Sequence, residues 1–267
     1  EEMYKNQVYG LYKYGYIEDL EKINATNLYE QYKDLISNSK IDIFVSGNID
    51  ENIEKILEEN ESMRMLKDRE GRVIYKLEKK EKVEEHEVIE EMDVVQGKVV
   101  IGMDLDINDE KQKYDAIVYN AILGGTANSK MFQEVREKAS LAYTAGSIYS
   151  KYKNNIFIKC GIEIKNYKKA LEIIKKQLED MKNGDFTEED IKNAKKSIIS
   201  GIKSVVDEQD TEITYYFGQE ITNIKISLDE YIQKIESVTK EKIIKIAKSL
   251  EINTIYFLKN KEEQECK

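Results

Sequence analysis

Residues 124–143 constrain the fold of this 267-residue chain more than any other stretch. They read Gly124-Gly125-Thr126-Ala127-Asn128-Ser129-Lys130-Met131-Phe132-Gln133-Glu134-Val135-Arg136-Glu137-Lys138-Ala139-Ser140-Leu141-Ala142-Tyr143. Paired glycines are the expected end of a preceding helix, because glycine enters the left-handed conformation of a C-cap without strain. A short amphipathic helix is expected next, with Asn128 or Ser129 as its N-cap and Met131, Phe132 and Val135 on one side. The chain then becomes extended through Leu141-Ala142-Tyr143-Thr144-Ala145. Arg136 near the helix end and Tyr143 at the strand start are both long hydrogen-bond donors, and so short a turn can aim both at one spot. Spacing alone leaves a second reading open, in which Arg136 is a solvated helix residue and Tyr143 a packed aromatic.

The same segment resembles the signature of the C-terminal domain of pitrilysin/insulinase-type metallopeptidases, the group that includes the mitochondrial processing peptidases. That pattern runs Gly-Gly, a small-residue turn, Ser-x-Leu/Met-Phe, then Val-Arg-Glu-Lys-x-x-Leu-Ala-Tyr. Thr126 and Ala127 stand where glycine or methionine is commoner, and Ala139-Ser140 replace a frequent Arg-Gly. The resemblance implies that Arg136 and Tyr143 bind substrate, reaching across to the active site of a partner domain. It also implies a protein built from two similar α+β domains.

Two distant stretches support a duplication. Near the start, residues 17–26 lead into an amphipathic run with Leu28, Tyr32 and Leu35, then a strand at 41–45 and a Gly47-Asn48 turn. Near the end, residues 228–239 lead into a run with Ile243, Ile246, Ala247 and Leu250, then a strand at 254–258. Both read as helix, threonine-capped helix, strand. Residues 1–50 are therefore expected to be the C-terminal remnant of a first peptidase-like domain, 51–89 a charged helix and linker, and 90–260 a complete second domain with the Arg/Tyr pair. The expected fold class is α+β: a duplicated two-layer domain, its first copy truncated, with helices on one face of a mainly antiparallel sheet.

Within that second domain, residues 94–105 read as the first strand region, with Gln96-Gly97 as a kink. Asp109 opens a helix with Tyr114, Ile117, Val118 and Ala121 on one face. Residues 143–150 and 156–164 form a hairpin around Lys153-Asn154-Asn155. Gly184 stops an amphipathic helix. Thr187 with Asp190, and Ser227 with Glu230, are capping boxes, and Phe186 and Ile191 hold the hydrophobic-staple positions. Cys160, in an alternating run, reads as a buried thiol. A helix is expected over 51–67, whereas 78–91 reads as either a solvated strand or a connector.

The peptidases of the resembled family bind zinc through an inverted His-x-x-Glu-His helix and a more distant Glu. Such a site needs two imidazoles, a carboxylate and an open position, and this chain has one histidine, His86, in a linker-like context. No residue of this chain is therefore expected to be catalytic or to bind metal. Zinc is expected only in a missing N-terminal part or a catalytic partner, and the chain alone is expected to be inactive. Residues 90–98 resemble the domain opening of small bacterial members that often lack the zinc motif. If a partner completes the site, the resemblance implies metal-assisted peptide hydrolysis, with Tyr143 donating to the scissile carbonyl oxygen and Arg136 gripping substrate backbone or a carboxylate.

The net charge of −10, from 42 basic and 52 acidic residues, argues against nucleic acid or an anionic membrane as the main partner. Two cysteines, no membrane-length apolar run and a start unlike a signal peptide fit a cytoplasmic protein. The expected partners are a peptide or unfolded protein substrate, and a second copy or catalytic homologue in a homodimer or heterodimer. The rival expectation is a purely structural or interaction subunit of the same fold.

Overall fold

The computed structural model describes residues 1–5, 7–65, 84–107 and 109–261. They divide into two compact units: one from residue 1, residues 7–65 and 204–226, the other from residues 2–5, 84–203 and 227–261.

The first unit carries helices α1 (Ile17–Leu20), α2 (Ala25–Asn38), α3 (Ile53–Glu59) and α4 (Glu61–Arg64). It corrects three expectations. The cap of α2 is Asn24, not Thr26; its carboxamide oxygen accepts from the N–H groups of Thr26 and Asn27 at 3.0 and 3.1 Å. The expected strand at 41–45 is extended but pairs with no described strand. A ladder needs a neighbour's N–H and C=O groups, and this unit contributes no described strand to offer them. Ile41, Ile43 and Val45 accordingly stay 37–51 % exposed. The single helix expected over 51–67 is two short ones, broken at Asn60, whose side chain caps α4 through the Met63 N–H at 3.2 Å; residues 66 and 67 lie outside the described residues.

The second unit is a two-layer α+β domain. Its strands are β1 (His86–Met92), β2 (Gly97–Leu105), β3 (Ala142–Ser150), β4 (Asn155–Ile162) and β5 (Leu250–Asn260), in the spatial order β1-β5-β2-β4-β3. Only β1 beside β5 is parallel; the other three pairings are antiparallel. Residues 86–92 are thus a strand, and residues 78–83 of the same run lie outside the described residues. The domain's helices are α5 (Glu110–Asn120), α6 (Tyr167–Asn183), α7 (Glu188–Lys203), α9 (Leu228–Glu236) and α10 (Lys240–Ser249), while α8 (Gln209–Thr222) belongs to the first unit.

Strand residues alternate between faces. Val99, Ile101 and Met103 of β2, Ile156, Ile158 and Ile162 of β4, and Ile255 and Phe257 of β5 are buried in one core with Ile174 and Met181 of α6 and Ile243 and Ile246 of α10. The intervening Lys98, Val100, Phe157, Lys159 and Tyr256 face away from these helices and keep solvent contact. Cys160 shares the core face, and burial pushes its thiol up to about 12.

Helix ends follow local chemistry. Thr187 and Asp190 exchange their capping bonds at 2.8 and 3.1 Å, with Phe186 and Ile191 buried beside them. Ser227 and Glu230 do the same at 2.9 and 3.1 Å. Gly184 ends α6 with a φ of +80°, the left-handed conformation expected of it. In α5 the buried face is broader than its periodicity predicts: Asp115, Ala116, Val118 and Tyr119 are buried, whereas Tyr114 and Ile117 are only partly so. The helix packs against α7, α9, α10 and β3, which covers more of its circumference than one stripe.

Candidate functional site

Helix α5 runs without a break into wider π-type turns at Ala121–Gly125. Neither Gly124 nor Gly125 has a positive φ, so the left-handed cap expected there is corrected. Gly124 is required for a different reason, the close approach of two backbones. A Cβ at Gly124 would stand 2.4 Å from the backbone nitrogen of Ser147 and 2.8 Å from the carbonyl carbon of Gly146, both in β3. Gly146 reciprocates, since a Cβ there would lie 3.0 Å from the Gly124 oxygen. The contact is held by the Ser147 hydroxyl, which donates to Oδ1 of Asn120 at 2.7 Å. Thr126 closes the turn by donating to the Ala121 carbonyl at 3.1 Å.

A second π-type segment, Met131–Lys138, follows and packs on β3. Neither Asn128 nor Ser129 caps it through a side chain, because Lys130 before it is already helical. Ser129 acts through its backbone carbonyl, which accepts from the Gln133 N–H at 2.9 Å, while its buried hydroxyl has no partner among the described residues. Met131 and Val135 are buried as expected, but Phe132 is only partly covered. The guanidinium of Arg136 rests 4.6 Å from the centre of the Phe132 ring. Its Nε lies 3.7 Å from a Glu137 carboxylate oxygen, an exposed pair of little energetic weight. Phe132 is a support that the sequence reading assigned only to packing; its spacing of four from Arg136 was the available signal.

Ser140 carries the chain out of this segment at a φ of +52°. This is the left-handed region, and it falls where the resembled pattern has glycine. The Leu141 N–H closes the end on the Val135 carbonyl at 3.1 Å. Strand β3 then begins with a bulge. Ala142 pairs with Ile162 and Thr144 with Gly161, so Tyr143 is the extra residue between two consecutive ladder pairs. Bulges re-aim a side chain out of the regular alternation, and Tyr143 is 63 % exposed. Arg136 has a side-chain exposure of 44 %. The two residues therefore sit, solvent-accessible, on two elements that pack against each other and are joined by one tight turn.

No zinc site is formed by the described residues. They contain no group of three or more His, Cys, Asp and Glu side chains disposed to hold a metal. His86, the chain's one histidine, lies in β1 with Nε2 3.4 Å from the Thr254 hydroxyl and Nδ1 3.3 Å from the Glu84 carbonyl. That donor set does not fit the two-imidazole, one-carboxylate requirement of a pitrilysin-type centre. No described helix is long and apolar enough to cross a membrane.

The family profile described as "Peptidase M16 inactive domain" matches residues 22–198. The chain is 37 % identical over 269 residues to the probable inactive metalloprotease YmfF of Bacillus subtilis, covering 98 % of this chain and 61 % of that protein. It is 25 % identical to the uncharacterized zinc protease YmxG of the same organism over 92 % of this chain and 60 % of that one. The crystal structure of a conserved protein from Enterococcus faecalis superposes with a TM-score of 0.79 at 26 % identity, covering 96 % of this chain and 60 % of that one. The chain thus spans about three-fifths of the length of the relatives it matches. A matching profile over most of its length, the five-stranded α+β domain and the Arg136/Tyr143 turn lead to one conclusion: this chain belongs to the M16, or pitrilysin/insulinase-type, peptidase family and carries a non-catalytic half of that fold.

Proposed function

We propose that this chain is the substrate-binding, non-zinc-binding half of an M16 assembly that handles peptides or unfolded proteins, and that Arg136 and Tyr143 are its substrate contacts. The observation that carries this reading is the bulge at Tyr143. It turns a large phenol out of the strand ladder at the start of β3, seven residues after an Arg136 that rests on an aromatic ring. A guanidinium fork offers paired N–H donors to a peptide carbonyl or carboxylate, and the phenol offers one O–H. Two such donors across a turn suit an extended peptide, whose carbonyls recur at regular spacing. No step through zinc is assigned to this chain, because the donors among its described residues do not form such a centre.

In this reading residues 1–50 complete a first domain whose remaining strands come from elsewhere in the assembly, residues 51–89 connect, and residues 90–260 form the second domain. The exposed apolar residues of α2 (Leu28, Tyr32, Leu35) and the unpaired segment 41–45 support it. Catalysis in such an assembly belongs to an N-terminal part or to a catalytic homologue, and the setting proposed is the cytoplasm.

The test is a titration of a fluorescent unfolded polypeptide, such as reduced carboxymethylated lactalbumin, with the chain and its variants. Arg136→Ala and Tyr143→Phe should each weaken binding about fivefold, the loss of one or two net hydrogen bonds, with folding unchanged. Binding that ignores both substitutions would favour the structural-subunit alternative.

A further inference from the structure

The sheet face opposite α6 and α10 carries a built slot remote in sequence from the Arg136/Tyr143 turn, covered by a single 3-10 turn at Glu2–Tyr4. Buried polar side chains gather at one end of it: Asn155 where β4 begins, and Asn253 and Thr254 in β5. Asn253 stands where the β2–β5 register shifts beside Gly102, and it donates to Asp104 at 2.8 Å. Residues 2–5 cross this end. Tyr4 is 7 % exposed, and its phenol oxygen accepts from the Asn155 carboxamide. The Met3 sulfur lies 2.5 Å from where a Cβ of Gly102 would stand, with the edge of the Phe157 ring 3.3 Å from the same point. A glycine inside a central strand weakens that strand, and its usual reason is the close approach of something else. Here that something is the Met3 thioether. Oδ1 of Asn155, itself 1 % exposed, has no hydrogen-bond partner among the described residues. A buried acceptor left open favours any occupant that brings it a donor.

We propose that this slot is an exchangeable peptide-binding site for a tyrosine side chain preceded by an unbranched apolar residue, and that Met3–Tyr4 occupies it in cis. The phenol is read by Asn155, the preceding residue by the gap over Gly102 against Phe157, and a further peptide N–H by the open Asn155 oxygen. The proposal stands independently of the roles given to Arg136 and Tyr143.

The test uses a dye-labelled synthetic peptide of residues 1–7, Glu-Glu-Met-Tyr-Lys-Asn-Gln, added to the full chain and to its Tyr4→Ala variant. Saturable binding is expected to both, about tenfold or more tighter to Tyr4→Ala, because the cis tyrosine competes at high effective concentration. Replacing the peptide's tyrosine by phenylalanine should weaken binding about fivefold, and Asn155→Leu in the Tyr4→Ala chain should do at least as much. Should Tyr4→Ala lose its cooperative melting, the unsubstituted chain answers alone, since cis occupancy raises the apparent Kd without removing the site. No saturation by about 1 mM peptide with any folded form, a weak-binding ceiling, would overturn the proposal. So would binding that is indifferent both to the phenol and to Asn155.

Discussion

Gly124→Ala separates two physical explanations of a glycine that share one sequence signature. A glycine acting as a left-handed cap loses about 1 kcal/mol on becoming alanine. Gly124 has no positive φ, so in backbone propensity alone alanine would be the better residue in this helical turn by roughly 0.5–1 kcal/mol. The opposing effect is steric. The added methyl would lie 2.4 Å from the Ser147 nitrogen, whereas ordinary contact starts at 3.4 Å, so β3 or the turn must retreat by about 1 Å. The obstructing atoms are backbone, and no side chain can swing away to relieve them. Overpacking of this kind costs about 1–3 kcal/mol or more, and the retreat also stretches the 2.7 Å Ser147–Asn120 bond, a further ~1 kcal/mol. The net expectation is a loss of about 2–3 kcal/mol, seen as a fall of roughly 5–10 °C in Tm. Urea unfolding followed by circular dichroism measures it, with Gly201→Ala as the matched control. Gly201 lies in helix α7 with nothing within 4 Å of its would-be Cβ, so alanine there should stabilise by roughly 0.5–1 kcal/mol. If Gly124→Ala proves neutral or stabilising like the control, the close-approach account is wrong.

Three further outcomes follow from the same geometry. Ser140→Gly should stabilise the chain by roughly 0.5–1 kcal/mol in the same unfolding assay, because a φ of +52° strains a residue with a Cβ and not a glycine. Arg136→Ala and Tyr143→Phe should shift Tm by little, about 0.5 kcal/mol or less for exposed donors, while weakening polypeptide binding; a large stability loss from either would make it a structural residue. Cys160, whose thiol is raised to about 12 by burial, keeps its proton in the folded state while the unfolded thiol ionises first, so this group's contribution to stability should decline as pH rises from about 9 toward 12. Comparison with Cys160→Ala over that range isolates the effect, and a wild-type profile parallel to the variant's would refute the assignment.

Much of this protein was determined by residues acting on near neighbours. Thr187 with Asp190 and Ser227 with Glu230 bond across three residues, so their helix starts were legible without knowledge of the rest of the chain. The β3–β4 hairpin and the burial of Cys160 followed from alternation, which is a property of the strand itself. Other features depended on partners far away in sequence. Residues 86–92 are a strand because β5 offers a parallel ladder, His86 opposite Thr254; their charged pattern alone also suited a connector. Segment 41–45 shows the converse: its pattern is that of a strand, yet it forms no ladder because no described strand lies beside it. Asn24 rather than Thr26 caps α2 because the helix begins at Ala25, so Thr26 lies inside it and its own N–H is one of the two that Asn24 accepts. Gly124 was visible as a glycine, but whether it served a left-handed turn or a close approach was decided by Gly146 and Ser147, more than twenty residues on. The bulge that turns Tyr143 outward likewise required β4. Local hydrogen bonding and periodicity are written in the order of residues, whereas ladders, bulges and backbone contacts exist only once distant segments meet.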